Sequence, residues 1–174
     1  MRADRTVTLR GNPLNLGGSE VKPGQVAPDF SVVDNSLKTV RLGDAKGKVV
    51  ILSSVPSLDT PVCDTETRKF NQEAAGLGDA VEVWTISMDL PFAQKRWCGT
   101  AGVTTLKTLS DFRERSFGQN YGVAITSGPL AGVTARAVFV VGKDGKLTHV
   151  EYVPEIASEP NYEAALNAAR AAAG

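Results

Sequence analysis

Val49-Val50-Ile51-Leu52-Ser53, then Pro56-Ser57-Leu58-Asp59-Thr60-Pro61-Val62-Cys63, then Ala80-Val81-Glu82-Val83-Trp84-Thr85-Ile86 decide how this chain folds. The first run is apolar and rich in β-branched residues, which predicts a central strand buried on both faces. The second is a strand-to-helix turn, the place where open α/β sheets put their chemistry. In it Thr60 can act as a helix N-cap and Pro61 as the first helical residue, leading into a helix-like segment from Asp64 to Leu77. The third run is the next strand. Strand, helix and strand in this order form a β-α-β unit and imply parallel pairing.

The helix carries a usable pattern. Cys63, Thr67, Phe70, Ala74 and Leu77 step by four, three, four and three, so they share one face. Charged Asp64, Glu66, Arg68, Lys69 and Glu73 fall mostly elsewhere, and Gly76 and Gly78 end the helix. Cys63 therefore points inward from the first turn, where unpaired backbone N–H groups and the helix dipole favour a negative charge. A thiol at a helix start is expected to be more ionised than a free cysteine. The competing reading is a packing residue, because free cysteines are among the most buried and inert side chains. The helix N-terminus and Thr60, whose hydroxyl can hydrogen-bond a thiolate, favour function. Capping needs a different hydroxyl orientation, so the cap can also come from Asp59. Asp64 would disfavour the thiolate if it were close, but helix neighbours project about 100° apart and it is expected to face solvent.

Working outward, residues 6–9 read as a strand, Gly11-Asn12-Pro13 as a turn and Leu14-Asn15-Leu16 as a returning arm, a hairpin extension over residues 1–18. Pro28 to Val33 and Leu37 to Leu42 are short strands joined by Asp34-Asn35-Ser36. Asp89-Leu90-Pro91 opens a helix over Phe92 to Trp97, with Cys98-Gly99 at its C-terminal end, where frayed turns and glycine anchor a cysteine poorly. Thr105 to Leu109 is a short strand, Phe112 to Phe117 a short helix, and Gly128 to Gly132 a loop. Ala135 to Val141 is a strong strand, Lys143 to Lys146 a hairpin turn, Leu147 to Tyr152 its partner, and Asn161 to Ala173 an alanine-rich closing helix. The fold expected is α/β of the thioredoxin-like plan, a central mixed β-sheet flanked by helices, with an added N-terminal β-hairpin, in one domain over residues 1–174.

Composition narrows the function. A length of 174 residues suits one full core, and nineteen basic residues balance nineteen acidic ones, so no long-range field draws in nucleic acid or anionic membrane. The start has no signal-peptide core and no run is long enough to span a bilayer, which predicts a soluble cytoplasmic protein. Two cysteines make no secreted disulfide scaffold, and with His149 as the sole histidine they fit no zinc pattern. His149 has no partner motif and is assigned no role; Trp84 and Trp97 read as packing residues. Arg136 is the odd residue of its strand, flanked by Ala135 and Ala137. Its head either reaches water at a strand end or enters the pocket to stabilise the thiolate and the attacked oxygen. Cys98 alone would be a packing residue; beside an activated Cys63 it is a candidate resolving thiol.

Pro56-x-x-x-Thr60-x-x-Cys63 resembles the peroxiredoxin active-site signature. The longer string Asp59 to Cys63 with Arg68-Lys69-Phe70-Asn71 resembles the thiol peroxidase subfamily. So do Asp89 to Gln94 with Trp97-Cys98-Gly99, Tyr121-Gly122-Val123, Gly128-Pro129-Leu130, Ala135-Arg136-Ala137, Gly11-Asn12-Pro13 and Glu159-Pro160-Asn161-Tyr162. Asp64 is larger than that pattern leads one to expect. The resemblance implies a peroxidase with both cysteines in one chain, needing no metal, haem or flavin. Cys63 would be the peroxidatic nucleophile, with Thr60 and Arg136 holding the peroxide in a pocket that includes Pro56. Cys98 would resolve the sulfenic acid through an intramolecular Cys63–Cys98 disulfide. Thioredoxin would reduce that disulfide, and the protein would be a homodimer. The rivals are a disulfide oxidoreductase, disfavoured because the third residue after Cys63 is Glu66 and not cysteine; a peroxide-sensing interaction protein using the same disulfide; and a non-catalytic binding module.

Overall fold

Apolar alternation along the middle strand divides the interior into two cores, one on each side of a sheet. A computed structural model describes residues 5–174; the expected N-terminal extension begins with residues 1–4, which lie outside the described residues. The chain runs β1 (Thr6–Leu9), β2 (Asn12–Gly17), β3 (Ser31–Val33), β4 (Thr39–Arg41), β5 (Val49–Ser54), α1 (Pro61–Ala74) and β6 (Val81–Ser87). It continues through α2 (Pro91–Ala101), β7 (Lys107–Ser110), α3 (Ser116–Asn120), β8 (Ala124–Ile125), β9 (Ala137–Val141), β10 (Leu147–Tyr152) and α4 (Tyr162–Ala173).

Seven strands form one mixed sheet in the order β10-β9-β5-β6-β7-β3-β4. β5, β6 and β7 run parallel, and β9 lies antiparallel to β5. This is the mixed sheet expected, with the β-α-β unit at its centre. Every residue of β5 is buried. Val50 and Leu52 pack into the core shared with Trp84, Phe117, Tyr121 and Phe139. Val49 and Ile51 face the opposite core, built with Cys63 and Phe70 of α1, Trp97 of α2 and Ala165, Leu166 and Ala169 of α4. Period-two alternation in a strand covered on both sides requires this split. It puts the first turn of α1 over the C-terminal end of β5.

Three boundaries differ from expectation. The N-terminal hairpin turns at Arg10-Gly11, both at positive φ (50° and 83°), so Asn12 and Pro13 already belong to β2. A two-residue turn of this kind matches the twist of paired strands, and proline is tolerated near a strand start. α2 runs four residues past Trp97 to Ala101 and stops at Gly102, whose φ of 69° supplies the left-handed terminus. Cys98 therefore sits inside the last turn of α2 and not beyond its end. The short helix expected over Phe112 to Phe117 forms later, as α3 (Ser116–Asn120), because buried Asp111 accepts the N–H groups of Phe117 and Gly118.

Candidate active site around Cys63

Ser53, the last turn of loop before α1, and the first two turns of α1 converge on one buried charge cluster. Cys63 is the third residue of α1 and has no exposed surface. Thr60 occupies the N-cap position with extended backbone, but its hydroxyl makes no capping bond. It donates instead to the Ser57 carbonyl at 2.7 Å, closing the turn that covers the thiol. Asp59 caps nothing either; it faces Arg96 across the surface at 3.7 Å. Pro56 is buried between β5 and that turn.

Arg136 comes in just ahead of β9 and is only 2 % exposed. Each of its three nitrogens donates one hydrogen bond. Nε donates to the Ile156 carbonyl at 2.9 Å, Nη1 to Glu66 Oε2 at 2.5 Å, and Nη2 to Cys63 Sγ at 3.3 Å. The fork geometry of a guanidinium allows this triple tether; an ammonium could not span it. Burial works against the charge on Arg136, but Glu66 and Cys63 beside it more than offset this and raise its pKa. Arg136 is a fixed cation aimed at the sulfur. The first turn of α1 adds its own positive dipole end at Cys63.

Glu66 is the residue that sequence reasoning missed. It was placed among the outward charges, yet it is wholly buried. Its carboxylate accepts from Arg136 and, at 3.0 Å, from Ser53 Oγ. Burial pushes its pKa up to about 7, against the pull of Arg136 and Ser53. A signal was present: Glu66 lies one turn beyond Cys63, at the i+3 position of the inward stripe. What could not be seen was its partner, which lies seventy residues further along the chain.

Asp64, adjacent to the thiol in sequence, is turned away from it. Its Oδ2 accepts from Arg68 Nε at 2.9 Å and its Oδ1 from Trp97 Nε1 at 2.8 Å. It is thus a tie between α1 and α2 as well as a partly solvated side chain, 35 % exposed. A cleft of about 300 Å³, lined by Leu58, Asp59, Thr60, Pro61, Asp64 and Trp97, opens beside the turn without reaching Cys63. Asp89 fixes the turn from below, accepting from Ser57 Oγ (2.7 Å) and the Leu58 N–H (2.8 Å).

Cys98 is half-buried and separate from this cluster. Its sulfur lies 3.3 Å from Thr108 Oγ1 on β7 and 3.9 Å from Asn35 Nδ2 beyond β3. Both cysteines are free thiols here. Among the described residues no group of three or more His, Cys, Asp or Glu side chains could hold a metal ion, and no helix is long and apolar enough to cross a membrane. The arrangement sets a wholly buried sulfur at a helix N-terminus against a fixed guanidinium cation.

The Redoxin family model matches residues 22–166 of this chain. The thiol peroxidase of Halalkalibacterium halodurans is 57% identical over 167 residues, covering 96% of this chain and 98% of that protein. The thiol peroxidase of Bacillus subtilis is 53% identical, over 95% of this chain and 96% of that protein. Among solved structures, a peroxiredoxin-like protein from Aquifex aeolicus superposes with a TM-score of 0.91 at 48% identity, covering 96% of each chain.

Proposed function

The chain belongs to the Redoxin family, in the company of the bacterial thiol peroxidases, and on that premise we propose that it reduces hydrogen peroxide and organic hydroperoxides with Cys63 as nucleophile. The observation that carries the assignment to this sulfur is the 3.3 Å contact from Arg136 Nη2 to Cys63 Sγ inside a wholly buried first helical turn.

In the first step the Cys63 thiolate attacks the terminal peroxide oxygen. The O–O bond breaks, the departing oxygen takes a proton and leaves as water or alcohol, and the sulfur is oxidised by two electrons to sulfenic acid. Arg136 stabilises the negative charge on the breaking O–O bond. Thr60 is the second donor to the peroxide, a role for which its hydroxyl must turn from the Ser57 carbonyl it now holds. Loosening that same turn is what admits peroxide to a sulfur with no exposed surface. Pro56 forms the wall behind it and keeps water from the thiolate.

In the second step the Cys98 thiol attacks the sulfenic sulfur, forming a Cys63–Cys98 disulfide and releasing water. A thioredoxin-type dithiol then reduces the disulfide and restores both thiols. We place this cycle in the cytoplasm, a reducing compartment in which such a dithiol is kept reduced. We assign a homodimer from the family resemblance; Leu90 and Phe92 at the start of α2, 50 % and 66 % exposed, give it an apolar edge to pair.

The test is steady-state peroxide consumption driven by thioredoxin, its reductase and NADPH. Wild type turns over many times and Cys63→Ser does not. Oxidation that stops after one equivalent under these conditions would favour the peroxide-sensing reading over the catalyst.

A further inference from the structure

The disulfide that the proposed cycle requires is not formed in the arrangement seen. The Cys63 sulfur rests against Arg136, which leads into β9, and the Cys98 sulfur against Thr108 on β7. Both are free thiols held by different partners, whereas a disulfide needs the two sulfurs about 2 Å apart. One or both helices must move, so whatever ties α1 to α2 near the two sulfurs limits the step.

That tie is a three-residue clasp. Trp97 Nε1 donates to Asp64 Oδ1 at 2.8 Å, and Arg68 Nε binds the other carboxylate oxygen at 2.9 Å. The Arg68 guanidinium also lies 5.7 Å over the Trp97 ring and donates to the Ala101 carbonyl at 3.4 Å, at the C-terminal end of α2. Asp64 directly follows Cys63, and Trp97 directly precedes Cys98. The clasp thus joins the immediate neighbours of both sulfurs. Asn71 holds Thr105 beyond the far end of α2 by separate bonds, so α2 stays attached when the clasp opens.

We propose that Asp64 and Trp97 are positioning residues for the second step of the cycle: their hydrogen bond keeps Cys98 on β7 and must break before Cys98 can reach the Cys63 sulfenic acid. The clasp sets how long the sulfenic acid survives, and hence how readily a second peroxide over-oxidises it to sulfinic acid. This inference rests on the Cys63–Cys98 reading above.

Rapid-quench mass spectrometry of the full chain after one equivalent of hydrogen peroxide tests it. Formation of sulfenic acid depends on peroxide concentration; its conversion to disulfide with loss of water does not, and is read as a separate phase. Trp97→Phe keeps the ring packing and removes the donor. The second phase is expected to quicken about fivefold, the factor one ordinary net hydrogen bond is worth. The peroxide concentration that half-inactivates Cys63 as sulfinic acid rises by the same factor. Asp64→Asn keeps an acceptor without its charge and shifts both readouts in the same direction by a smaller factor, which covers the case of a poorly folded Trp97 variant. Ile125→Val, in the core on the opposite face of the sheet, serves as a control for general loss of stability. An unchanged or slower second phase in both clasp variants, or equal acceleration in Ile125→Val, overturns the inference. Failure of wild type to form the Cys63–Cys98 disulfide at all refutes the underlying reading instead.

Discussion

Replacing Glu66 with glutamine isolates the buried charge that the active site carries. The amide has the same shape and still offers an oxygen to Arg136 Nη1, but it does not titrate. In wild type, burial lifts the Glu66 pKa from 4.5 to about 7. Below pH 4.5 the folded and unfolded chains both hold the proton. Between pH 4.5 and 7 the folded chain keeps a proton that the unfolded chain has released, so stability falls as pH rises. Above pH 7 both forms are ionised and the loss is complete. At 1.36 kcal/mol per pH unit the loss totals about 3 kcal/mol. Asp111, lifted to about 6 by its own burial, contributes in the same direction at lower pH. It is common to both proteins and cancels in the difference. Guanidinium unfolding of wild type and Glu66→Gln at pH 5, 6, 7 and 8 measures that difference directly. Relative to the variant, wild type is expected to lose about 2–3 kcal/mol between pH 5 and 8. Parallel stability curves would refute a neutral-pH titration of Glu66. A relative gain for wild type with rising pH would show that Arg136 holds the carboxylate ionised.

Three further substitutions follow from the geometry. Arg136→Lys cannot keep the contacts to Cys63, Glu66 and Ile156 together, and loss of one charged hydrogen bond of about 1.5–3 kcal/mol slows alkylation of Cys63 by iodoacetamide at pH 7 roughly 10- to 100-fold; a rate within twofold of wild type would remove its role. Thr60→Val breaks the bond to Ser57 and is expected to slow the peroxide step at least about tenfold while leaving iodoacetamide alkylation within about twofold; equal slowing of both would make Thr60 a purely structural residue. Cys98→Ser consumes a single equivalent of peroxide and stops, gaining about 16 Da as a sulfenic acid that excess peroxide oxidises further; continued turnover with thioredoxin at the wild-type rate would deny Cys98 the resolving role.

The central β-α-β unit was legible because β5 opens on the apolar run Val49 to Leu52, β6 is rich in β-branched and aromatic residues, and Thr60-Pro61 announces a helix start. Local chemistry also gave the inward face of Cys63, since the i, i+4, i+7 spacing needs no knowledge of the rest of the chain. What escaped depends on distant partners. Glu66 looks like any surface glutamate until Arg136 and Ser53 are brought beside it, and no local pattern reports a pairing over that separation. Asp64 looks like a solvated neighbour until α2 presents the Trp97 indole. The end of α2 was misjudged because Cys98-Gly99 resembles a terminus, while the residue that stops the helix is Gly102 in the left-handed conformation. The Thr60 hydroxyl illustrates the same limit at short range. Sequence gives its place at the helix start, but its hydroxyl donates to the Ser57 carbonyl and accepts from no helix N–H.

The central claim is that Cys63 reduces peroxide and is resolved by Cys98 within one chain. The most direct measurement is the intact mass and free-thiol count of the reduced protein, seconds after one equivalent of hydrogen peroxide. The account predicts a loss of about 2 Da and of both thiols, with peptide mapping joining Cys63 to Cys98. Two intact thiols and an unchanged mass would contradict it.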